Sequence, residues 1–290
     1  MHRCFDVSDY TIEGEKNTVQ SIKIENVKTD SFSMDYIRFG HGEGVFVIIP
    51  GLSVQSVMPL ADMVADAYKI LTEDYTVYMF DRRKDLPEVY TVRDMARDTA
   101  AAMRELGLKD VVLYGASQGG MISSVIALEN PDLISRLVLA STAASIDENV
   151  GKVVKKWKDL ASEGKAEELY LSFGEDIYPK EVFEQSKGLL TDAAKTVTKE
   201  ELDRFVILAS GMEGFDVLGD IGKISCPLFL MGSSDDRVLG SEASMKIAEK
   251  FKGREDFLFH MYEGYGHSAY DTAPDYKERI LKFLKGLSRG

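Results

Sequence analysis

Hydrophobic positions along the chain keep two rhythms that take turns. Short continuous apolar runs read as strands buried on both faces: Val45-Phe46-Val47-Ile48-Ile49, Tyr75 to Phe80, Val111 to Tyr114, Ile134 to Leu139, Cys226 to Gly232 and Phe257 to Tyr262. Between them apolar residues return at helical spacing. Leu60, Met63, Val64, Ala67 and Leu71 predict a helix over about 56–71; Val92, Met95, Thr99, Met103 and Leu106 predict another, with Thr91 and Asp94 as its capping pair and Gly107 as its stop. A helix is expected over 241–251, and a last one is opened by Pro274 and carries Tyr276, Ile280, Phe283 and Leu287. Ahead of all this, residues 18–26 and 31–39 alternate polar and apolar residues around Lys28-Thr29-Asp30, as an edge hairpin does. Strands alternating with helices at this spacing predict an α/β fold: a mostly parallel sheet of about eight strands with helices on both faces.

The alternation breaks once. From about Ala143 to Gly222 the strand rhythm disappears, and Val150, Val153, Val154, Trp157 and Leu160 make one amphipathic stripe. A second helix starts at Thr198, with Glu201 completing a capping box ahead of Leu202, Phe205, Val206 and Ala209. The expected organisation is a core of residues 1–142 and 223–290 with a helical insertion at 143–222, and Gly211, Gly214, Gly219 and Gly222 read as its flexible end. Trp157 belongs to the packing of its own stripe, or else reaches a substrate from above.

Composition narrows the class. A formal charge of −13 repels nucleic acid and anionic membrane surfaces, so neither is an expected partner. Two cysteines, Cys4 and Cys226, give no disulfide framework and suggest a reducing compartment. Met1 to Tyr10 lacks the apolar core of a secretory signal, and no stretch reaches the length of a membrane span, so a cytoplasmic monomer or homodimer is expected. No metal or nucleotide motif occurs, and no cofactor is expected.

The chemistry is concentrated in Gly115-Ala116-Ser117-Gln118-Gly119, which sits between the apolar run ending at Tyr114 and a helix apolar on nearly all sides, Gly120 to Leu128. Glycines two residues either side of the serine leave room for a strand to reverse into a helix with the hydroxyl standing on the corner. A serine hydroxyl is a poor nucleophile at neutral pH and needs a base and a group to orient that base. Of four histidines, His2 is terminal, His41 lies in a turn and His260 falls inside a strand pattern. His267 lies in the glycine-rich loop Glu263 to Ser268 directly after a strand, where sites of open α/β sheets are found. For the acid, Asp235 and Asp236 stand side by side after the preceding strand, and neighbours point in different directions. Asp235 is the expected partner of His267; Asp236 is expected to be solvated or paired with Arg237.

With the order Ser117, Asp235, His267, the chain resembles the capped, single-domain α/β-hydrolase fold proteins over nearly its whole length. The resemblance supports Asp235 through the family's G-x-x-D-x-x-V loop, matched here by Gly232, Asp235 and Val238. It implies an oxyanion hole of two backbone N–H groups, those of Gln118 and Leu52, although Pro50-Gly51 stands where many relatives have His-Gly. It further implies that residues 143–222 form a cap over the site. The implied activity is hydrolysis of a small-molecule carboxylic ester or related acyl substrate through an acyl-enzyme. Acyl transfer, thioester, amide or peptide cleavage, C–C hydrolysis, perhydrolysis and non-catalytic small-molecule binding use the same constellation. A second departure is Asp81-Arg82-Arg83-Lys84, basic where relatives carry a glycine-rich segment. It reads as a salt-bridged loop or as a positive rim for an anionic substrate group.

Overall fold

The computed structural model describes residues 21–286. Eight strands are formed: β1 (Ile24–Lys28), β2 (Ser33–Phe39), β3 (Gly44–Ile49), β4 (Tyr75–Arg83), β5 (Val111–Ala116), β6 (Ile134–Ala140), β7 (Leu228–Ser233) and β8 (Phe257–Tyr262). They make one sheet in the order β1-β2-β4-β3-β5-β6-β7-β8, antiparallel through β1, β2 and β4 and parallel from β4 to β8. The edge hairpin is therefore present, shifted toward the C-terminus; residues 18–20 of the expected first strand lie outside the described residues, as do His2, Cys4, the Met1 to Tyr10 stretch and Leu287.

Strand order fixes where a ligand can sit. The chain leaves β3 for β4 on one side and returns to place β5 on the other, so the strand order reverses between β3 and β5. In open α/β sheets ligands bind beyond the carboxyl ends of the strands at such a reversal. The loop after β3 contains Leu52, and the turn after β5 contains Ser117.

Helices α1 (Ala61–Ala67), α2 (Val92–Glu105), α3 (Gln118–Glu129), α8 (Ser241–Lys250), α9 (Ala269–Thr272) and α10 (Tyr276–Leu284) cover the sheet. The capping box predicted at Thr91 and Asp94 is formed, and so is that at Thr198 and Glu201. The helix expected over 56–71 is broken instead: a 3₁₀ turn at Met58–Leu60 and another at Lys69–Leu71 flank the short α1. Pro59 fits a first helical turn but has no N–H to continue one. Strand β4 runs three residues further than expected, through Asp81-Arg82-Arg83. Helix α3 is buried from Gln118 to Ala127, which is why its sequence is apolar all round.

Between β6 and β7 come four helices, α4 (Glu148–Ser162), α5 (Ala166–Ile177), α6 (Lys180–Ala194) and α7 (Lys199–Ser210). Trp157 is buried inside this group, its ring 4.5 Å from that of Phe173 and its Nε1 donating to Asp176 Oδ2 at 2.9 Å. It is a packing residue between α4 and α5. Gly211 is a packing position, not a flexible end: a Cβ there would come within 2.1 Å of the Tyr90 carbonyl oxygen, and its own carbonyl accepts from Val92 N–H at 3.0 Å. No helix among the described residues is long and apolar enough to cross a membrane.

Candidate active site

Ser117 occupies the single residue between β5 and α3, with φ 53° and ψ −122°. That backbone is strained for any residue with a side chain, at a cost of about 1–3 kcal/mol. The turn is tight enough that its glycines are obligatory. A Cβ on Gly115 would lie 2.3 Å from Gly119 O, and one on Gly119 would lie 2.0 Å from Ile49 O. The start of α3 thus rests directly on the end of β3. Ser117 itself is only 9% exposed, and its hydroxyl hydrogen-bonds no described residue.

The loop after β3 passes beside this serine: a Cβ on Gly51 would be 3.2 Å from Ser117 Cβ. The next residue is Leu52. Neither the Leu52 N–H nor the Gln118 N–H has an intramolecular acceptor among the described residues. For Gln118 the reason is general, since the first N–H groups of a helix have no partner within it. Two free main-chain donors therefore flank the serine.

Beyond β8, positive-φ backbone at Gly264 and Gly266 carries the chain to His267, which is buried. Here the expectation for the acid is corrected. His267 Nδ1 is 2.8 Å from Asp236 Oδ2, with both side chains buried, and Asp235 points elsewhere. The other oxygen of Asp236 accepts from the N–H groups of Val238 and Leu239 at 2.8 and 2.9 Å, which turns Oδ2 inward to the imidazole. Asp235 builds the histidine loop: Oδ1 accepts from Ser233 Oγ and Gly264 N–H, and Oδ2 from Gly266 N–H. Burial works against the charged carboxylate of Asp235, but these hydrogen bonds outweigh it and hold its pKa below the usual carboxylate range. The one-residue error has a local cause. Strand β7 runs one residue past Gly232, through Ser233, so the turn begins one residue later than the sequence spacing suggests. Arg237, the alternative partner for Asp236, instead donates to the carbonyls of Glu175 and Tyr178 at the end of α5.

Because an ionised carboxylate only accepts, Asp236 requires the proton on His267 Nδ1 and leaves the Nε2 lone pair free. The basic segment is also resolved. Arg83 pairs with Asp98 at 3.4 Å, and Arg82 is 4% exposed, so the pair forms no positive rim. Burial lowers the Arg82 pKa to about 10, with Asp81 opposing the shift, so it stays charged at neutral pH. Among the described residues no His, Cys, Asp and Glu side chains converge as a metal ion would need.

Solved structures overlay on this framework across nearly its full length. MGS-M2, an alpha/beta hydrolase enzyme from a Medee basin deep-sea metagenome library, matches with TM-score 0.80 at 20% identity, covering 92% of this chain and 99% of its own. The enol-lactonase of Burkholderia xenovorans matches with TM-score 0.77 at 16% identity over 90% and 100%. A family model described as alpha/beta hydrolase fold matches residues 44–169. The chain has the α/β-hydrolase fold. Among curated proteins, RutD of Pseudomonas savastanoi pv. phaseolicola, named as a candidate carbamate hydrolase, is 24% identical over 76% of this chain and 87% of its own length. RutD of Caulobacter segnis, named likewise, is 25% identical over 77% and 86%. Within this α/β-hydrolase fold, the loops after β3, β5, β7 and β8 bring Leu52, Ser117, Gln118, Asp236 and His267 to one edge of the sheet.

Proposed function

We propose that the protein is a serine hydrolase acting on a small-molecule ester or a related acyl compound such as a carbamate. Ser117 Oγ attacks the carbonyl carbon as its proton passes to His267 Nε2, and Asp236 stabilises the imidazolium. The Leu52 and Gln118 N–H groups bind the oxyanion, each worth about 2.7–4 kcal/mol in the transition state. His267 then protonates the leaving group, and water, deprotonated by His267, attacks the acyl-Ser117 carbonyl and releases the acid. Helices α4 to α7 serve as the cap that selects the substrate. The observation that carries this reading is the buried His267–Asp236 pair on the sheet edge that also holds a strained serine turn whose hydroxyl hydrogen-bonds no described residue. The names borne by the RutD relatives favour including carbamates in the substrate class.

A fluorophosphonate probe with mass mapping, run beside a panel of esters and carbamates of increasing acyl length, tests it. Labelling at Ser117 and hydrolysis abolished by Ser117→Ala and His267→Ala are expected. Persistent absence of labelling in folded protein, or full rates in both variants, would sink the proposal.

A further inference from the structure

Arg82 is an unusual residue to bury. A guanidinium taken from water costs several kcal/mol unless a counter-charge meets it, yet among the described residues Arg82 makes no salt bridge and its Nε has no hydrogen-bond partner. Its neighbour Asp81 is committed to Arg204 of α7 at 2.9 Å and to Ser56 Oγ at 2.6 Å. What Arg82 does touch is specific. One amino group, Nη2, donates to the Pro50 carbonyl at 2.8 Å and to Gln118 Oε1 at 3.3 Å. The same Gln118 amide donates from Nε2 to the Leu208 carbonyl of α7 at 2.7 Å. The amide is thus oriented at both ends, and a continuous chain runs from α7 through Gln118 and Arg82 to Pro50.

Two links of that chain, Gln118 and the Pro50 segment, belong to the stretches whose backbone N–H groups form the proposed oxyanion hole. Among the described residues, the bond from Arg82 is the only hydrogen bond made by Pro50, Gly51 and Leu52. Pro50 has no N–H, and the Gly51 and Leu52 N–H groups are unpaired. The segment rests closely on the elbow, at Gly119 and beside Ser117. Sterics set how near the loop can come and the buried Leu52 side chain anchors it, while the bond from Arg82 is the one hydrogen bond among the described residues that fixes its peptide planes.

We infer that Arg82 is a positioning residue that fixes the Leu52 and Gln118 N–H groups relative to each other, so that both point at a developing oxyanion. The inference rests on the serine-hydrolase reading. Its catalytic signature follows from the geometry. A donor displaced by a fraction of an ångström still lets substrate bind but no longer meets the charge formed in the transition state. Loss of Arg82 therefore lowers kcat with little change in KM.

The test uses the full chain. Arg82→Met keeps much of the volume and removes every donor; Arg82→Lys restores a donor to Pro50 or Gln118. Steady-state kinetics on the best ester are combined with affinities for a matched pair of inhibitors. One is a trifluoromethyl ketone, which forms a tetrahedral oxyanion adduct with the serine, and the other is the corresponding secondary alcohol, which occupies the site without one. Expected for Arg82→Met is a fall in kcat of about 10–100-fold with KM within about threefold. The ketone should weaken in parallel with kcat, the alcohol should be unchanged, and Arg82→Lys should recover part of both losses. Unchanged kcat in folded Arg82→Met overturns the inference, and so does equal weakening of ketone and alcohol, which marks a merely structural role. If Arg82→Met does not fold, Gln118→Met, which removes only one of the two Nη2 contacts, is measured the same way and the same two outcomes decide. The arms separate the two readings: wild type labelled at Ser117 with Arg82→Met fully active refutes the inference alone, whereas unlabelled wild type removes the hydrolase reading beneath it.

Discussion

Replacing Asp236 by asparagine changes one atom and should nearly abolish turnover. Asp236 Oδ1 accepts two backbone N–H groups, from Val238 and Leu239, and Oδ2 faces His267 Nδ1. An asparagine must keep its oxygen toward the two backbone donors, since an amino group there would leave both unpaired in a buried site. Its amino group therefore faces His267 Nδ1 and forces that nitrogen to accept. The proton moves to Nε2, the nitrogen that must take the serine proton, and the base is lost with the fold intact. Inverting the tautomer in this way costs about 10⁴-fold in kcat, or about 5.4 kcal/mol of barrier. Asp235→Asn offers the contrast. Either orientation of the new amide strands at least one backbone N–H, at Gly264 or Gly266, which costs about 1 kcal/mol of stability in so exposed a carboxylate and leaves kcat within about tenfold. Steady-state kinetics from pH 6 to 9, with thermal melts of each variant, compare the two. Asp236→Asn retaining more than a tenth of the wild-type kcat, or Asp235→Asn losing more than Asp236→Asn, would refute the assignment.

Gly119→Ala should destabilise the fold by about 1–3 kcal/mol and cut kcat, because its Cβ would stand 2.0 Å from the main-chain oxygen of Ile49 and displace the Pro50–Leu52 loop; denaturant melts and kinetics would both register it. Asp235 has a depressed folded pKa, so its stabilisation is complete above the unfolded value of about 3.9 and disappears as pH falls through the folded one. Urea midpoints between pH 3 and 6 should drop less steeply in Asp235→Asn than in wild type. Burial pushes the Cys226 thiol up to about 11, so at pH 8 its native-state alkylation by iodoacetamide should run roughly a hundredfold slower than in urea, read on the Cys226 peptide by mass spectrometry.

The parts of this molecule legible in the sequence are those in which one local pattern serves one purpose. The apolar runs mark the parallel strands because both faces of those strands are covered, and Thr91/Asp94 and Thr198/Glu201 mark helix starts because capping boxes are local. Residues doing two things at once are misread. Gly232, Asp235 and Val238 match an acidic-loop pattern, yet the carboxylate that reaches His267 is the next one, Asp236. Gly211 looks flexible but admits the Tyr90 carbonyl. Arg82 and Arg83 look alike in sequence, yet β4 alternates its side chains between faces, burying Arg82 and leaving Arg83 to pair with Asp98. In the sequence Asp81, Arg82 and Arg83 are simply three charged residues after an apolar run, and only the extension of β4 through them separates the buried Arg82 from its neighbours.

Why the elbow can hold its strain is answered by its main-chain bonds rather than by the serine. Ser117 N–H donates to Ala140 O at 2.9 Å, and Ser117 O accepts from Gly120 N–H at 2.9 Å, Met121 N–H at 3.2 Å and Thr142 Oγ1 at 2.7 Å. Four hydrogen bonds at about 0.5–1.5 kcal/mol each outweigh a local strain of about 1–3 kcal/mol. All four come from β6, its following loop and the first turn of α3, which are among the most buried parts of the chain. The sheet centre therefore supplies rigidity where the backbone is least comfortable, and the serine side chain is left out of every one of those bonds. A hydroxyl that owes nothing to the fold is free to be spent on a substrate.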